Sequence, residues 1–212
     1  MEITPSDEQQ LICTKMEKKS NIFVDCCAGS GKTFSATNIA FYFNSSDVLL
    51  LTFSKRLKFS TQAKINELNI TNLEACSFHS FAVKYYTEKS FNSLKIACKI
   101  KNPKKSFRFD IIILDECQDI TPDIYEFICK ILKDNGRKKP YIVILGDYRQ
   151  EIFGFIGSDH RYMKYKDILF KNSRKWENCY LSTTYRLTIP MVKFINESVL
   201  GYDKFKSNKK SS

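Results

Sequence analysis

Short strand-like runs alternating with longer amphipathic stretches constrain this chain more tightly than any other feature. Residues 22–26, 47–53, 70–77, 109–114, 141–145 and 180–183 form such runs, and 111–114 reads Ile-Ile-Ile-Leu without a polar break. Continuous apolar strands of this length are buried on both faces, which a parallel sheet covered by helices achieves. The intervening stretches supply the helices. Ser6, followed three residues later by Gln9, is a capping box that opens the first. Residues 33–43, 55–68 and 79–86 carry helical patterns, and Thr121-Pro122 sets an N-cap and an N1 proline before a helix over 123–132. A last helix starts at 188–190 and ends near Gly201. The expectation is an α/β fold, a parallel sheet with helices on both faces. The lysine-rich stretch 95–105 lacks periodicity and reads as an exposed insertion; the polar tail 204–212 reads as a frayed end.

Composition removes several classes of function. Hydrophobic residues at 43% and charged residues at 27% describe a globular chain, and 212 residues suffice for a core without staples. The runs at 111–114 and 141–145 are far too short to span a bilayer, and the polar opening MEITPSDEQQ is no signal peptide. A soluble intracellular protein without a membrane partner is expected. Eight cysteines, several inside strand-like runs and none spaced C-x-x-C, with only two histidines, read as buried reduced thiols rather than a zinc site or a disulfide framework. Thirty-four lysines and arginines against 23 acids give a net charge of +11, which suits a polyanionic partner, nucleic acid first among them. Part of that lysine surplus also fits a Lys-, Asn-, Ile- and Phe-rich composition.

Two motifs carry chemistry. Ala28-Gly29-Ser30-Gly31-Lys32-Thr33 follows a strand and opens a helix. Glycines let the backbone N–H groups wrap a phosphate, the helix N-terminus adds partial positive charge, and Lys32 and Thr33 stand where a phosphate loop needs its ammonium and its Mg²⁺ hydroxyl. The strict pattern has glycine six residues before the lysine; Cys26 stands there. The second motif, Asp115-Glu116, closes the apolar run 111–114, at the sheet end where ligands of open parallel sheets sit. Phosphoryl transfer needs one carboxylate at the metal and one that polarises water; Asp115 is assigned to Mg²⁺ and Glu116 to the general base. The strand–loop–helix setting already favours a phosphate loop over a chance glycine turn, whereas the acidic pair alone reads as a solvated strand end; together they point to ATP and Mg²⁺.

Seven segments, in order, resemble those of the UvrD-like DNA helicases of superfamily 1. They are Glu8-Gln9, Ala28–Thr33, Thr52-Phe53-Ser54-Lys55, Ser77-Phe78-His79-Ser80-Phe81, Asp115-Glu116-Cys117-Gln118-Asp119, Gly146-Asp147-Tyr148-Arg149-Gln150 with Ile152–Gly157, and Thr184-Tyr185-Arg186. The resemblance implies a P-loop NTPase (RecA-like) ATP-binding domain over residues 1–184, with 185–212 as the start of a truncated second motor domain. It implies that Gln9, with Gln10 as the alternative, hydrogen-bonds adenine and that Tyr185 stacks on it. Gln150 would sense the γ-phosphate, and Arg186 would be an arginine finger. Ala28, Gly29, Ser30, Gly31, Lys32 and Thr33 would hold the phosphates. Phe53, His79, Phe153 and Phe155 would meet single-stranded DNA, Phe155 as the stacking residue; among 17 phenylalanines, core packing is the competing role for Phe53 and Phe153.

The chain also departs from that pattern. Phe34 replaces an arginine that often covers the adenine, Ile156 replaces the arginine of the aromatic motif, and nothing after Arg186 resembles the later motifs. The insertion before the acidic box is reduced to about residues 82–108, which is similar to the F-box-type helicases. Two functions therefore stand side by side: an ATP-driven translocase or helicase acting on single-stranded DNA, incomplete in this chain and completed by a second motor domain or a partner chain, and a nucleotide- and nucleic-acid-binding module without unwinding activity. The roughly 25 residues after Arg186 are expected to make a strand end and one helix, too little for a cleft wall.

Overall fold

The computed structural model describes residues 4–53, 55–87, 94–137, 139–150, 154, 157–171 and 174–209. Six parallel strands form the main sheet: β1 (Asn21–Cys26), β2 (Val48–Thr52), β3 (Leu73–Ser77), β4 (Ile111–Leu114), β5 (Tyr141–Gly146) and β6 (Trp176–Leu181), in the order β3-β2-β4-β5-β1-β6. The apolar runs explain why both faces are covered. Successive side chains point to opposite faces of a strand. Phe23, Leu49, Leu51, Ile112, Leu114, Ile142 and Ile144 thus enter one core, and Ile22, Val24, Val48, Leu50, Ile111, Ile113, Val143 and Leu145 the other.

Helices close each face. The first core takes α4 (Phe78–Tyr85) and α6 (Pro122–Asp134), and the second takes α1 (Asp7–Glu17), α2 (Lys32–Tyr42) and α3 (Lys55–Glu67). In α6 the buried residues Ile124, Phe127, Ile128 and Ile131 recur at helical spacing, behind the N-cap Thr121 and the N1 proline. The Ser6–Gln9 capping box of α1 is formed in both directions. All eight cysteines are free thiols, six of them buried. No helix among the described residues is long and apolar enough to cross a membrane.

Three local expectations change. Within the stretch read as an exposed insertion, α5 (Lys95–Lys99) buries Ala97, and Leu94 and Phe107 flank it in the core. There Phe107 meets Phe81 edge-on at 5.1 Å, an apolar payload that a search for periodicity overlooks. The strand expected over 180–183 is divided. β6 stops at Leu181, and β7 (Thr183–Thr188) leaves for a second sheet. The tail is not frayed over its described part: β8 (Lys206–Lys209) pairs in parallel with β7, Thr183 opposite Lys206. Between them run α7 (Ile189–Phe194) and a π-helical turn, Ile195–Leu200, ended by Gly201 at φ +75°. The last segment is thus a small built unit of two strands and a helix, and it stands against the site.

Candidate active site

Parallel registry brings the strand ends together. Asp25 of β1 lies opposite Gly146 of β5, and Leu114 of β4 opposite Ile144, so the loops after all three strands open on one edge. After β1 the chain turns through Gly29 (φ +75°) and Gly31 (φ +86°), backbone angles that L side chains avoid. A Cβ on Gly29 would stand 2.5 Å from Cβ of Arg186, and one on Gly31 would stand 3.0 Å from Nε2 of Gln9. Gly31 is also the N-cap of α2 and has no side chain with which to cap it. Among the described residues the buried Ser30 hydroxyl has no hydrogen-bond partner. A loop bare of side chains at a helix N-terminus, with an unanswered hydroxyl, fits a phosphate group.

Lys32 projects from the first turn of α2, and its Nζ lies 3.0 Å from Oε2 of Glu116. Burial works against the ammonium, but the facing Glu116 and nearby Asp115 outweigh it and leave the Lys32 pKa raised. Asp115 is only 4% exposed. Burial and the adjacent Glu116 push its carboxyl well above the usual carboxylate range, with Lys32 only partly offsetting them. A buried carboxylate so disfavoured gains from a further cation, so the oxygen donors of Asp115 and Thr33 are of the kind that would hold Mg²⁺. Glu116 has φ +55°, which turns its side chain back across the strand end. Gln118 donates its Nε2 to Glu116 at 2.8 Å and accepts the Asp147 N–H on its Oε1 at 3.1 Å. Asp147 in turn accepts Gln150 Nε2 at 2.7 Å. One hydrogen-bonded relay therefore runs from Glu116 to Gln150.

Two clefts meet over the loop. At the phosphate end, about 560 Å³ is bounded by residues 29–34 with Glu116, Gln150, Tyr185, Arg186 and Lys209. Beside it, about 330 Å³ is bounded by Thr4, Gln9, Phe34, Lys64 and Tyr185 over the two glycines. Gln9, not the exposed Gln10, faces this cleft. Lys32, Thr33, Asp115, Glu116, Gln150, Tyr185, Arg186 and Gln9 are thus brought to one edge. Of the residues assigned to DNA, Phe53 is half-buried against the first core and His79 is exposed on the first turn of α4. Phe153 and Phe155 lie outside the described residues.

Several contacts at the site escaped the sequence reading, including those of Glu8 and Thr184, whose segments it named without giving them a role. The Thr184 hydroxyl donates to the Ala28 carbonyl at 2.7 Å, and the Tyr185 N–H donates to the Gly29 carbonyl at 3.0 Å, tying β7 to the phosphate loop. Glu8 accepts the Ser182 N–H at 3.0 Å and the Ser182 hydroxyl as well. Asp25 receives Arg149 Nη2 at 2.8 Å and Lys204 Nζ at 2.7 Å. Only Asp25 left a signal: a lone acid inside an apolar strand must meet a cation or a donor. The partners of Glu8 and Thr184 lie more than 150 positions away in the chain and leave none.

An open parallel sheet with a glycine-wrapped helix N-terminus and an acidic strand end defines an α/β P-loop NTPase. A family model described as AAA domain matches residues 9–156, and the chain belongs to that family. The RecBCD enzyme subunit RecB of Haemophilus influenzae is 29% identical over 92 residues, which is 39% of this chain and 8% of that subunit. The Pif1 helicase from Candida albicans superposes at a TM-score of 0.58 with 18% identity, over 87% of this chain and 41% of its own. The Pif1 helicase from Bacteroides in complex with ADP-AlF3 and ssDNA superposes at 0.54 with 17% identity, over 96% and 47%. The fold is similar to that of these Pif1 helicases, and the chain spans less than half the length of each of these relatives.

Proposed function

We propose that this domain binds Mg²⁺-ATP and hydrolyses it as the first motor domain of a DNA helicase or translocase acting on single-stranded DNA. The observation that carries the reading is the 3.0 Å pairing of Lys32 with Glu116 across the glycine loop, with buried Asp115 beside it. In this reading a phosphate oxygen competes with Glu116 for the Lys32 ammonium. The released carboxylate, still held by Gln118 at 2.8 Å, turns to the attacking water and takes its proton. Thr33 and Asp115 would hold Mg²⁺, which when bound neutralises phosphate charge. Ala28, Gly29, Ser30 and Gly31 supply backbone donors, and Arg186 approaches the phosphate end from β7.

Gln150 reports on the phosphate end through Asp147 and Gln118. Gln9 and Tyr185 face the base. Phe53, His79, Phe153 and Phe155 are assigned to the DNA strand. Residues 1–184 form the ATP-binding domain in this reading, and 185–212 open a second motor domain. The test is phosphate release with and without single-stranded DNA. Lys32→Ala should abolish Mg²⁺-ATP binding. Glu116→Gln should keep binding and stop turnover. Equal nucleotide affinity in wild type and Lys32→Ala would refute the site.

A further inference from the structure

The two edges of the main sheet carry opposite charge. At the carboxyl edge, the connectors 115–121 and 147–150 that leave β4 and β5 hold Asp115, Glu116, Asp119 and Asp147 against Arg149. At the amino edge, residues 100–110, 135–140, 18–20 and 170–175 lead into β4, β5, β1 and β6. The described residues of these connectors hold eleven lysines and arginines and one carboxylate, Asp110. The four strands are neighbours in that order, so the positive charge runs along one edge. The nucleotide cleft opens on the other edge, and Phe53 and His79 follow β2 and β3 there, so neither site uses this charge.

Hydrogen bonds hold the basic connectors side by side. The Asp110 carbonyl accepts the Tyr141 N–H at 2.8 Å, the Lys175 carbonyl accepts the Asn21 N–H at 2.8 Å, and Asn21 Oδ1 accepts the Ile142 N–H at 3.0 Å. Arg174 donates Nη2 to the Lys139 carbonyl at 3.2 Å and lies 3.8 Å from the Tyr141 ring centroid. Lys18, Lys19, Arg108, Lys139 and Lys175 are exposed. Asp110 pairs with Arg137, and Glu177 with Lys175 at 2.9 Å; solvent-exposed pairs of this kind contribute little and give way to a stronger anion. The rings at this edge are engaged within the protein: Tyr141 lies under Arg174 and packs on the second core, and Trp176 packs on the first. A single strand is gripped by cations with open aromatic platforms, whereas a duplex offers its phosphates. Four strands at about 4.8 Å spacing set the outer connectors about 15 Å apart, on the scale of phosphates flanking a major groove of about 12 Å. We infer that the amino edge of the sheet is a second nucleic-acid site, which binds the phosphate backbone of double-stranded DNA without reading its sequence. It stands independently of the nucleotide site on the opposite edge.

The experiment is fluorescence anisotropy of the full chain with a labelled blunt-ended duplex, and with the labelled strand alone, across about 50–200 mM salt. Wild type should bind the duplex with log affinity falling by about 0.9 per log salt for each phosphate neutralised. Lys18→Gln with Lys139→Gln should lower that slope by about 1.8 and weaken the duplex at least about tenfold at the lowest salt, while the single strand moves by less than about twofold. Lys193→Gln with Lys206→Gln removes the same charge from the last unit and should leave duplex affinity within about twofold. Lys32→Ala, which tests the nucleotide site, should leave the duplex bound as in wild type, so the two readings fail separately. Duplex binding that is absent, unmoved in the edge pair, or weakened equally by the control pair overturns the proposal. So does an edge pair that weakens the single strand as much as the duplex.

Discussion

Replacing Asp25 by asparagine removes a carboxylate on which two cations from distant parts of the chain converge. Asp25 lies in β1, 8% exposed, with Arg149 Nη2 at 2.8 Å and Lys204 Nζ at 2.7 Å. Losing one partner of a fully buried ion pair costs about 3–5 kcal/mol, and of an exposed pair about 0–1 kcal/mol. This cluster lies between those limits, because the Arg149 and Lys204 side chains are 26% and 23% exposed. Arg149 also keeps Asp147 at 2.7 Å and the Cys26 carbonyl at 3.0 Å, while Lys204 can turn to water.

The expected loss is about 2–3 kcal/mol, between the buried and exposed limits. At about 2–4 °C per kcal/mol for a domain of this size, Tm should fall by about 4–12 °C. Thermal and urea unfolding followed by circular dichroism read this directly. A cycle with Lys204→Met should show a coupling above about 0.5 kcal/mol, as residues in direct contact do. Proteolysis should then cut first in the unit carrying β8, since Lys204 joins it to β1. Asp25→Asn within about 0.5 kcal/mol of wild type, or strictly additive single variants, would refute the claim that this carboxylate holds the last unit to the phosphate-loop domain.

Gly29→Ala places a methyl 2.5 Å from Cβ of Arg186 in a backbone conformation of φ +75°. The left-handed angle alone costs about 1–2 kcal/mol, and the clash is with a side-chain root that cannot swing away. Reduced stability and slower ATP turnover are expected; unchanged values of both would show that β7 does not rest on the loop as described. For DNA, log affinity should fall by about 0.7 per log salt for each phosphate neutralised, read by fluorescence anisotropy with a labelled single strand. Salt-independent binding would reduce the +11 net charge to composition. Phe155→Ala should cost about 1–3 kcal/mol of that binding if the ring stacks on a base.

Local chemistry alone determined much of this protein. Uninterrupted apolar runs can only be strands buried on both faces, and Ser6, Thr121 and Pro122 mark helix starts through hydrogen bonds within a few residues. The glycine loop and the Asp115-Glu116 pair were legible because their geometry is set by contiguous backbone. The tertiary structure decided what depends on residues meeting across the chain. Glu8 finds Ser182, Thr184 finds Ala28, and Gln118 joins Glu116 to Asp147, none of which any periodicity encodes. The tail shows the same limit. The tail 204–212 is polar and reads as frayed, yet in its described part Lys204 is held by a buried carboxylate from β1, Phe205 lies 5.0 Å from the Arg149 guanidinium, and β8 pairs with β7. A polar segment is ordered by the partner it meets, and that partner is a property of the folded chain.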